Sequence, residues 1–278
     1  MKTIKDYLRK NLSRSAKRKL RNLRDDIKAI GCRNNLEKLA KIYKTDKTGN
    51  HNYTSHYKLH LKKFKYKRIK LLEIGAGGFS IPYEGGNSLR MWKKYFRFGS
   101  IYSIDIYDKT TIEENRIKIF QGNQKDKDFL NKVTEMTGDL DIIIDDACHI
   151  NKYVIESFQV LFPKLKDGGV YVVEDTQTSY WKSFGGDSEN LNNPDTTMNF
   201  FKSLADSLNN KEFIKPYYQQ TYYDKNIVSI HFYHNLIFIF KGNNSEPSNI
   251  IINNENNTIA PYENYNKIDS PLIYEQFQ

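Results

Sequence analysis

Asp141–Asp175, DIIIDDACHINKYVIESFQVLFPKLKDGGVYVVED, is the stretch whose reading decides the fold. It holds two short apolar runs, Ile142–Ile144 and Val170–Val173. Each ends in paired carboxylates, Asp145-Asp146 after the first and Glu174-Asp175 after the second. Between them, from about Asn151 to Leu165, Val154, Ile155, Phe158, Leu161 and Phe162 fall at helical spacing. The DGG triplet Asp167–Gly169 then reads as a turn. Strand, helix and strand of this length make a right-handed crossover, which places the two strands parallel in one sheet. Both carboxylate pairs then stand at carboxyl ends of parallel strands, the edge where open α/β sheets bind ligands. His149, three residues beyond Asp146, falls in the loop over that edge.

Upstream, Ile69–Ile74 reads as a buried strand running directly into Gly75-Ala76-Gly77-Gly78, and Asn87–Tyr95 reads as a helix. Strand, glycine-rich turn and helix bring a nucleoside close to backbone NH groups. The third glycine of a dinucleotide fingerprint is replaced by Ser80, and Pro82–Gly86 are inserted before the helix, which argues against an NAD-dependent oxidoreductase. A second strand, Ser100–Ile104, ends at Asp105, placed to accept bonds from ribose hydroxyls. A third, Ile117–Phe120, ends at Gln121-Gly122-Asn123-Gln124, a polar end expected to face the adenine edge. Ile227–Tyr233 and Leu236–Lys241, joined by His234-Asn235, read as an antiparallel hairpin.

The remaining segments are polar. Residues 1–24 form a helix-compatible arm in which ten Lys and Arg face Asp6 alone, with a thin apolar stripe through Ile4, Leu8, Leu12, Leu20 and Leu23. It reads either as a membrane-surface or polyanion contact, or as a solvated helix against a neighbouring subunit. Asn35–Ile42 reads as a short helix capped by Asn34 or Asn35. Tyr43–Tyr57 reads as a surface loop or a substrate wall, and Thr176–Asn193 as a long functional loop. His51 and His56 have no ligand spacing with neighbouring acids. A helix is expected over Asp195–Leu208, and the Asn-rich end beyond Gly242 reads as a loosely ordered tail. The expected division is 1–34 basic arm, 35–242 catalytic domain and 243–278 tail.

The chain has 278 residues and a formal net charge of +10, with 38% hydrophobic residues but 20 Tyr and 16 Phe to fill a core. Mean hydropathy is −0.71. Two cysteines, Cys32 and Cys148, make neither a disulfide framework nor a zinc motif; Cys148 reads as a small buried filler. With no signal-peptide pattern and no apolar run of membrane-spanning length, a reduced, cytoplasmic protein is expected.

Parallel strands, E-x-G-x-G at Glu73, Gly75 and Gly77, an acid after the second strand and a closing hairpin resemble the class I S-adenosylmethionine-dependent methyltransferases, over roughly residues 36–242. Five further segments sharpen this to the metal-dependent macrolide and deoxysugar O-methyltransferases of the mycinamicin type. These are D-D-x-x-H after the fourth strand, E-D after the fifth, Thr45-Asp46-Lys47, Ser88-Leu89-Arg90-Met91-Trp92, and Gln121–Gln124. The resemblance implies a Rossmann-like α/β fold with a seven-stranded, mostly parallel sheet and a C-terminal antiparallel hairpin. It implies Asp146, Glu174 and Asp175 as ligands of a divalent cation, most simply Mg2+, since oxygen-only ligands suit a hard ion. It implies His149 as general base toward a sugar hydroxyl made acidic at the cation. Glu73, Gly75, Gly77, Ser88, Asp105, Gln121, Asn123, Gln124 and Asp145 are the implied cofactor-facing set.

The expected acceptor is a sugar hydroxyl, on a nucleotide sugar or on a surface or capsular glycan unit. The Asn, Ile and Lys richness of the chain fits a low-GC bacterium in which such glycans are decorated. A homo-oligomer with no specific nucleic-acid partner is expected. Two rivals stand beside this reading. One is a nucleic-acid methyltransferase, suggested by the net charge but lacking an N-P-P-[YF] motif after the fourth strand. The other is a non-catalytic, membrane-associated scaffold of the same fold.

Overall fold

The computed structural model describes residues 12–255. Its sheet has seven strands: β1 (Lys70–Ile74), β2 (Ser100–Asp105), β3 (Ile117–Gln121), β4 (Leu140–Asp145), β5 (Leu165–Glu174), β6 (Ile227–Tyr233) and β7 (Leu236–Lys241). Their order is β3-β2-β1-β4-β5-β7-β6, parallel except at β7, which is antiparallel to both neighbours. The helices are α1 (Arg14–Lys28), α2 (Leu36–Tyr43), α3 (Thr54–Leu61), α4 (Asn87–Tyr95), α5 (Lys127–Thr137), α6 (Asn151–Leu161), α7 (Thr197–Leu208) and α8 (Tyr222–Asn226).

Successive residues of the central strands serve opposite faces. Leu71, Ile142, Ile144, Val172 and Phe238 join Leu39, Tyr57, Leu61 and Trp92 beneath α2, α3 and α4. Leu72, Ile143, Tyr171, Val173, Ile237 and Ile239 join Val133, Val154, Phe158 and Phe201 beneath α5, α6 and α7. A sheet covered on both sides requires near-continuous apolar strands, which is why the runs do not alternate with polar residues. The carboxyl ends of β1, β4 and β5 therefore open onto one crevice.

Three expectations are corrected. The DGG triplet lies within β5, where pairing with β4 slips between Leu140↔Leu165 and Ile142↔Val170, so Asp167–Gly169 form an irregularity in the strand. Helix α6 ends at Leu161, because Pro163 has no NH to continue it and Phe162–Lys164 tighten into a 3-10 turn. The segment after Gly242 is anchored as far as residue 255. Asn244 donates to the carbonyls of Ser207 and Asp224, Asn254 to those of Asn210 and Phe213, and Ile251 is buried.

Helix α1 takes its N-cap bond from Ser13, whose side chain accepts from Ala16 N. It docks on its own chain through polar groups: Arg18 to Tyr83 O at 2.6 Å, Asn22 to Glu114 at 3.0 Å, and Tyr43 to Asp26 at 2.7 Å. The first eleven residues of the arm and residues 256–278 of the tail lie outside the described residues. Among the described residues, no helix is long and apolar enough to cross a membrane.

Candidate active site

The loop after β1 is held by both neighbouring strands. Gly75 N donates to Ile104 O, and Asp105 accepts from Ala76 N with one oxygen and Tyr107 N with the other. Gly75 has φ +102°, and a Cβ there would stand 2.3 Å from Asp146 O. Only glycine lets the two loops close to this distance. The insertion before α4 folds back on the turn, with Gly86 N bonded to Ala76 O at 2.6 Å.

A cavity of about 490 Å³ opens beside this turn, walled by Gly75, Gly77, Asp105, Asn123, Gln124 and Tyr153. Asp146, Ala147 and Cys148 line it as well. A second cavity of about 630 Å³ shares Gly75, Asp146 and Ala147 with the first and adds His149 and Asp175. Arg21, Asn22 and Asp25 of α1 line this second cavity, so the basic arm supplies one of its walls.

At the junction, Asp146, His149 and Asp175 bring one ligand atom each to within 4.8 Å of the others. His149 Nε2 lies 3.6 Å from Asp175 Oδ2 and 3.9 Å from Asp146 Oδ1. Both His149 (φ +53°) and Asp175 (φ +54°) adopt left-handed backbone, a strained choice that turns their side chains toward the crevice. Glu174 stands apart from this trio, 3% exposed, its Oε1 bonded by Lys47 at 2.6 Å and by the Tyr57 hydroxyl. Its other oxygen makes no hydrogen bond among the described residues.

The segment 43–57 is a wall of this site. Lys47, 0% exposed, sets its ammonium 2.7 Å from Asp146, 2.6 Å from Glu174 and 3.2 Å from Glu73. Burial opposes the charge, but the three carboxylates outweigh it and hold the ammonium well above its ordinary pKa. Burial also pushes Glu73 up to about 7, and Glu174 well above the carboxylate range with help from Asp146, Lys47 opposing both. Tyr53 donates its hydroxyl proton to Asp175 at 2.7 Å, with Asn235 O 3.1 Å from the same oxygen, and His51 Nδ1 lies 3.6 Å from Asp175. Sequence reasoning named Lys47 only within the Thr45-Asp46-Lys47 motif, and Tyr53 and Tyr57 only within the Tyr43–Tyr57 segment, and gave none of the three a role.

The cofactor-facing set divides. Gly75, Gly77, Asp105, Asn123 and Gln124 line the first cavity. Ser88 lines the second cavity beside Glu73. Glu73 is buried behind the glycine turn, held by Lys47 and by Trp92 Nε1 at 3.1 Å. Gln121 is exposed at the end of β3, outside both cavities. Asp145 lies beneath the floor, bonded by both Gln124 (2.9 and 3.0 Å) and Tyr171 (3.2 Å), and burial pushes it up to about 7. Cys148, read as filler, is half-buried on the cavity wall.

Two features fit the groups the resemblance implies. The buried Gln124 Oε1, on the first cavity, has no partner within the described residues and is a free acceptor for a base amine. Asp146 and Asp175 of the trio offer hard oxygen donors of the kind Mg2+ takes, with the His149 nitrogen beside them.

This sheet, reversed only at β7, and the glycine turn opposite Asp105 define a class I S-adenosylmethionine-dependent methyltransferase fold. No protein-family model matches the chain. Over 213 residues it is 43% identical to mycinamicin VI 2''-O-methyltransferase of Micromonospora griseorubida, covering 76% of this chain and 53% of that one. Over another 213-residue match it is 44% identical to demethylmacrocin O-methyltransferase of Streptomyces fradiae, covering 76% and 54%. It superposes with a TM-score of 0.74, at 42% identity, on the MycE methyltransferase of the mycinamycin biosynthetic pathway, solved in complex with Mg and SAH. That match covers 76% of this chain and 55% of the other. The chain is similar to these macrolide and deoxysugar O-methyltransferases over about three quarters of its own length, and it spans about half the length of the curated relatives it matches.

Proposed function

We propose that the chain transfers a methyl group from S-adenosylmethionine to a sugar hydroxyl with the help of a divalent cation. The observation that carries this reading is the junction of two cavities at Asp146, with His149 and Asp175 on the side of the second. The cofactor would lie against Gly75, Gly77, Asp105, Asn123 and Gln124, and it supplies an electrophilic methyl on a sulfonium. Asp146, Asp175 and the unengaged oxygen of Glu174 would hold the cation, which supplies Lewis acidity toward an acceptor hydroxyl. His149 Nε2, 3.6 Å from Asp175 and 3.9 Å from Asp146, takes the hydroxyl proton. Asp175 is steadied in turn by Tyr53.

The acceptor class is a sugar, as in relatives whose names specify rhamnosyl and olivosyl groups. The finer reading is a nucleotide sugar or a surface or capsular glycan unit. The catalytic unit is residues 35–242, with α1 adding a wall to the acceptor cavity.

His149→Ala is expected to lower turnover by a factor of about 10² to 10⁴. Cofactor binding, followed calorimetrically, should be retained. Excess EDTA should abolish transfer to a panel of nucleotide sugars and glycan fragments, and added Mg2+ should restore it. Full activity in EDTA would refute the cation assignment.

A further inference from the structure

Helix α1 is amphipathic in the inverse sense. Its polar side is turned inward: Asp25 is buried, and Arg18, Asn22 and Asp26 bond Tyr83, Glu114 and Tyr43. Its apolar side faces solvent. Leu20, Leu23 and Ile27 recur at three- and four-residue spacing and are 51%, 58% and 59% exposed, and Ile30 in the following turn is 61% exposed. Lys17, Lys19 and Lys28 of the same helix are exposed and, among the described residues, make no ion pair with a carboxylate. Four large aliphatic side chains in a row toward water cost free energy unless something covers them.

A second, independent feature adjoins the end of this stripe. Ile30 also lines a cavity of about 280 Å³ whose walls include Arg33, Lys65, Lys94, Arg97 and Tyr66, with no carboxylate among its lining residues. None of its four cations pairs with an acid among the described residues. Lys65 donates to the Asn34 amide and Lys94 to the Asp26 backbone carbonyl at 3.1 Å. Burial first, and then neighbouring cations including Arg33, hold the Lys94 ammonium below its ordinary pKa; Asp26 opposes them. The lining of this cavity carries the charge to take a phosphate-sized anion.

We propose that this face docks on an anionic lipid surface, with Leu20, Leu23, Ile27 and Ile30 entering the interfacial apolar region and the Arg33–Lys65–Lys94–Arg97 cavity taking a lipid phosphate. Charge complementarity selects this occupant. Apolar side chains bordered by cations match anionic headgroups above acyl chains. A nucleic acid would use the cations and leave the aliphatic row in water. A second copy of the chain would bring the same cations against themselves. The proposal is independent of the catalytic reading. It has one consequence for it, since Arg21, Asn22 and Asp25 of the same helix line the acceptor cavity and that cavity would open near the membrane.

The test is sedimentation of the full chain with vesicles of phosphatidylcholine alone or mixed with phosphatidylglycerol, at low and high salt. Binding to the anionic vesicles only, weakening with salt, is expected. Leu23→Asp with Ile27→Asp, and separately Arg33→Glu with Arg97→Glu, should each lower the partition coefficient by at least about tenfold. Each variant is first checked for a wild-type thermal melt, and the second pair, on exposed positions, remains informative if the first does not fold. The proposal is overturned by equal binding to neutral vesicles, by no vesicle binding, or by binding that neither pair alters. It is also overturned if Leu23→Asp with Ile27→Asp only dissociates an oligomer in light scattering, or if the Arg33 and Arg97 pair affects RNA or inorganic phosphate binding but not vesicle binding.

Discussion

Lys47 binds together carboxylates from three strands: Glu73 at β1, Asp146 after β4 and Glu174 at β5. One ammonium among three buried or half-buried acids is the local counter-charge on which the crevice depends. Removing it strands those charges in a poorly solvated place. Lys47→Met is therefore expected to destabilise the fold by about 3–5 kcal/mol in denaturant unfolding. Adding Glu174→Gln should recover part of that loss, because one of the stranded charges is gone. Additive losses from the two substitutions would show that Lys47 acts without Glu174. None of this was readable from Thr45-Asp46-Lys47 as letters, since the partners lie 99 and 127 residues away along the chain.

Among the elements, the segment after β5 must hold Asp175 at the mouth of the crevice. Asn151, fully buried at the start of α6, donates to Thr178 O at 3.0 Å and Phe184 O at 2.8 Å and accepts from Thr197 N at 2.6 Å. One side chain thus ties α6, the loop 176–193 and the first turn of α7. Asn151→Ala leaves those groups unpaired, at about 1–3 kcal/mol, and should speed limited proteolysis within 176–193 before the core opens. Cleavage no faster than wild type would assign the order of that loop to its aromatic contacts instead. The strands themselves were legible, because apolar runs ending in acids have one simple place in a parallel sheet. The loop's 3-10 turns and its link to Asn151 were not, because they depend on contacts across 27 to 46 residues.

Across the whole molecule, β6 and β7 carry the sheet outward to a histidine cluster against α3. The His60 and His231 rings stand 4.6 Å apart, and His60 Nε2 lies 2.8 Å from the Tyr233 hydroxyl. Burial first, then His231, His56 and Lys63, push His60 down to about 4 from 6.5. Its folded value is thus below its unfolded one, so between these values the unfolded chain binds more protons and stability rises with pH. The melting temperature should fall as pH drops from about 6.5 toward 4, and His60→Gln should flatten that limb. An unchanged limb in the variant would place the acid sensitivity at other groups.

Sequence by itself determined the sheet and its reactive edge. Continuous apolar strands, Gly75 and Gly77, Asp105 and the DD…H…ED pattern are constraints of covalent geometry and burial that hold locally, whatever packs around them. Tertiary structure alone decided how those residues are used. It brought Lys47, Tyr53 and Tyr57 onto the carboxylates, set Glu174 behind Asp146 and Asp175, and placed Glu73, Gln121 and Asp145 away from the lining of the cavity beside the glycine turn. It also decided which side of α1 faces inward. Periodicity fixes that a helix has two faces, but only the hydrogen-bonding partners offered by Tyr83, Glu114 and Tyr43 turned the polar one toward the protein and left the apolar one outside.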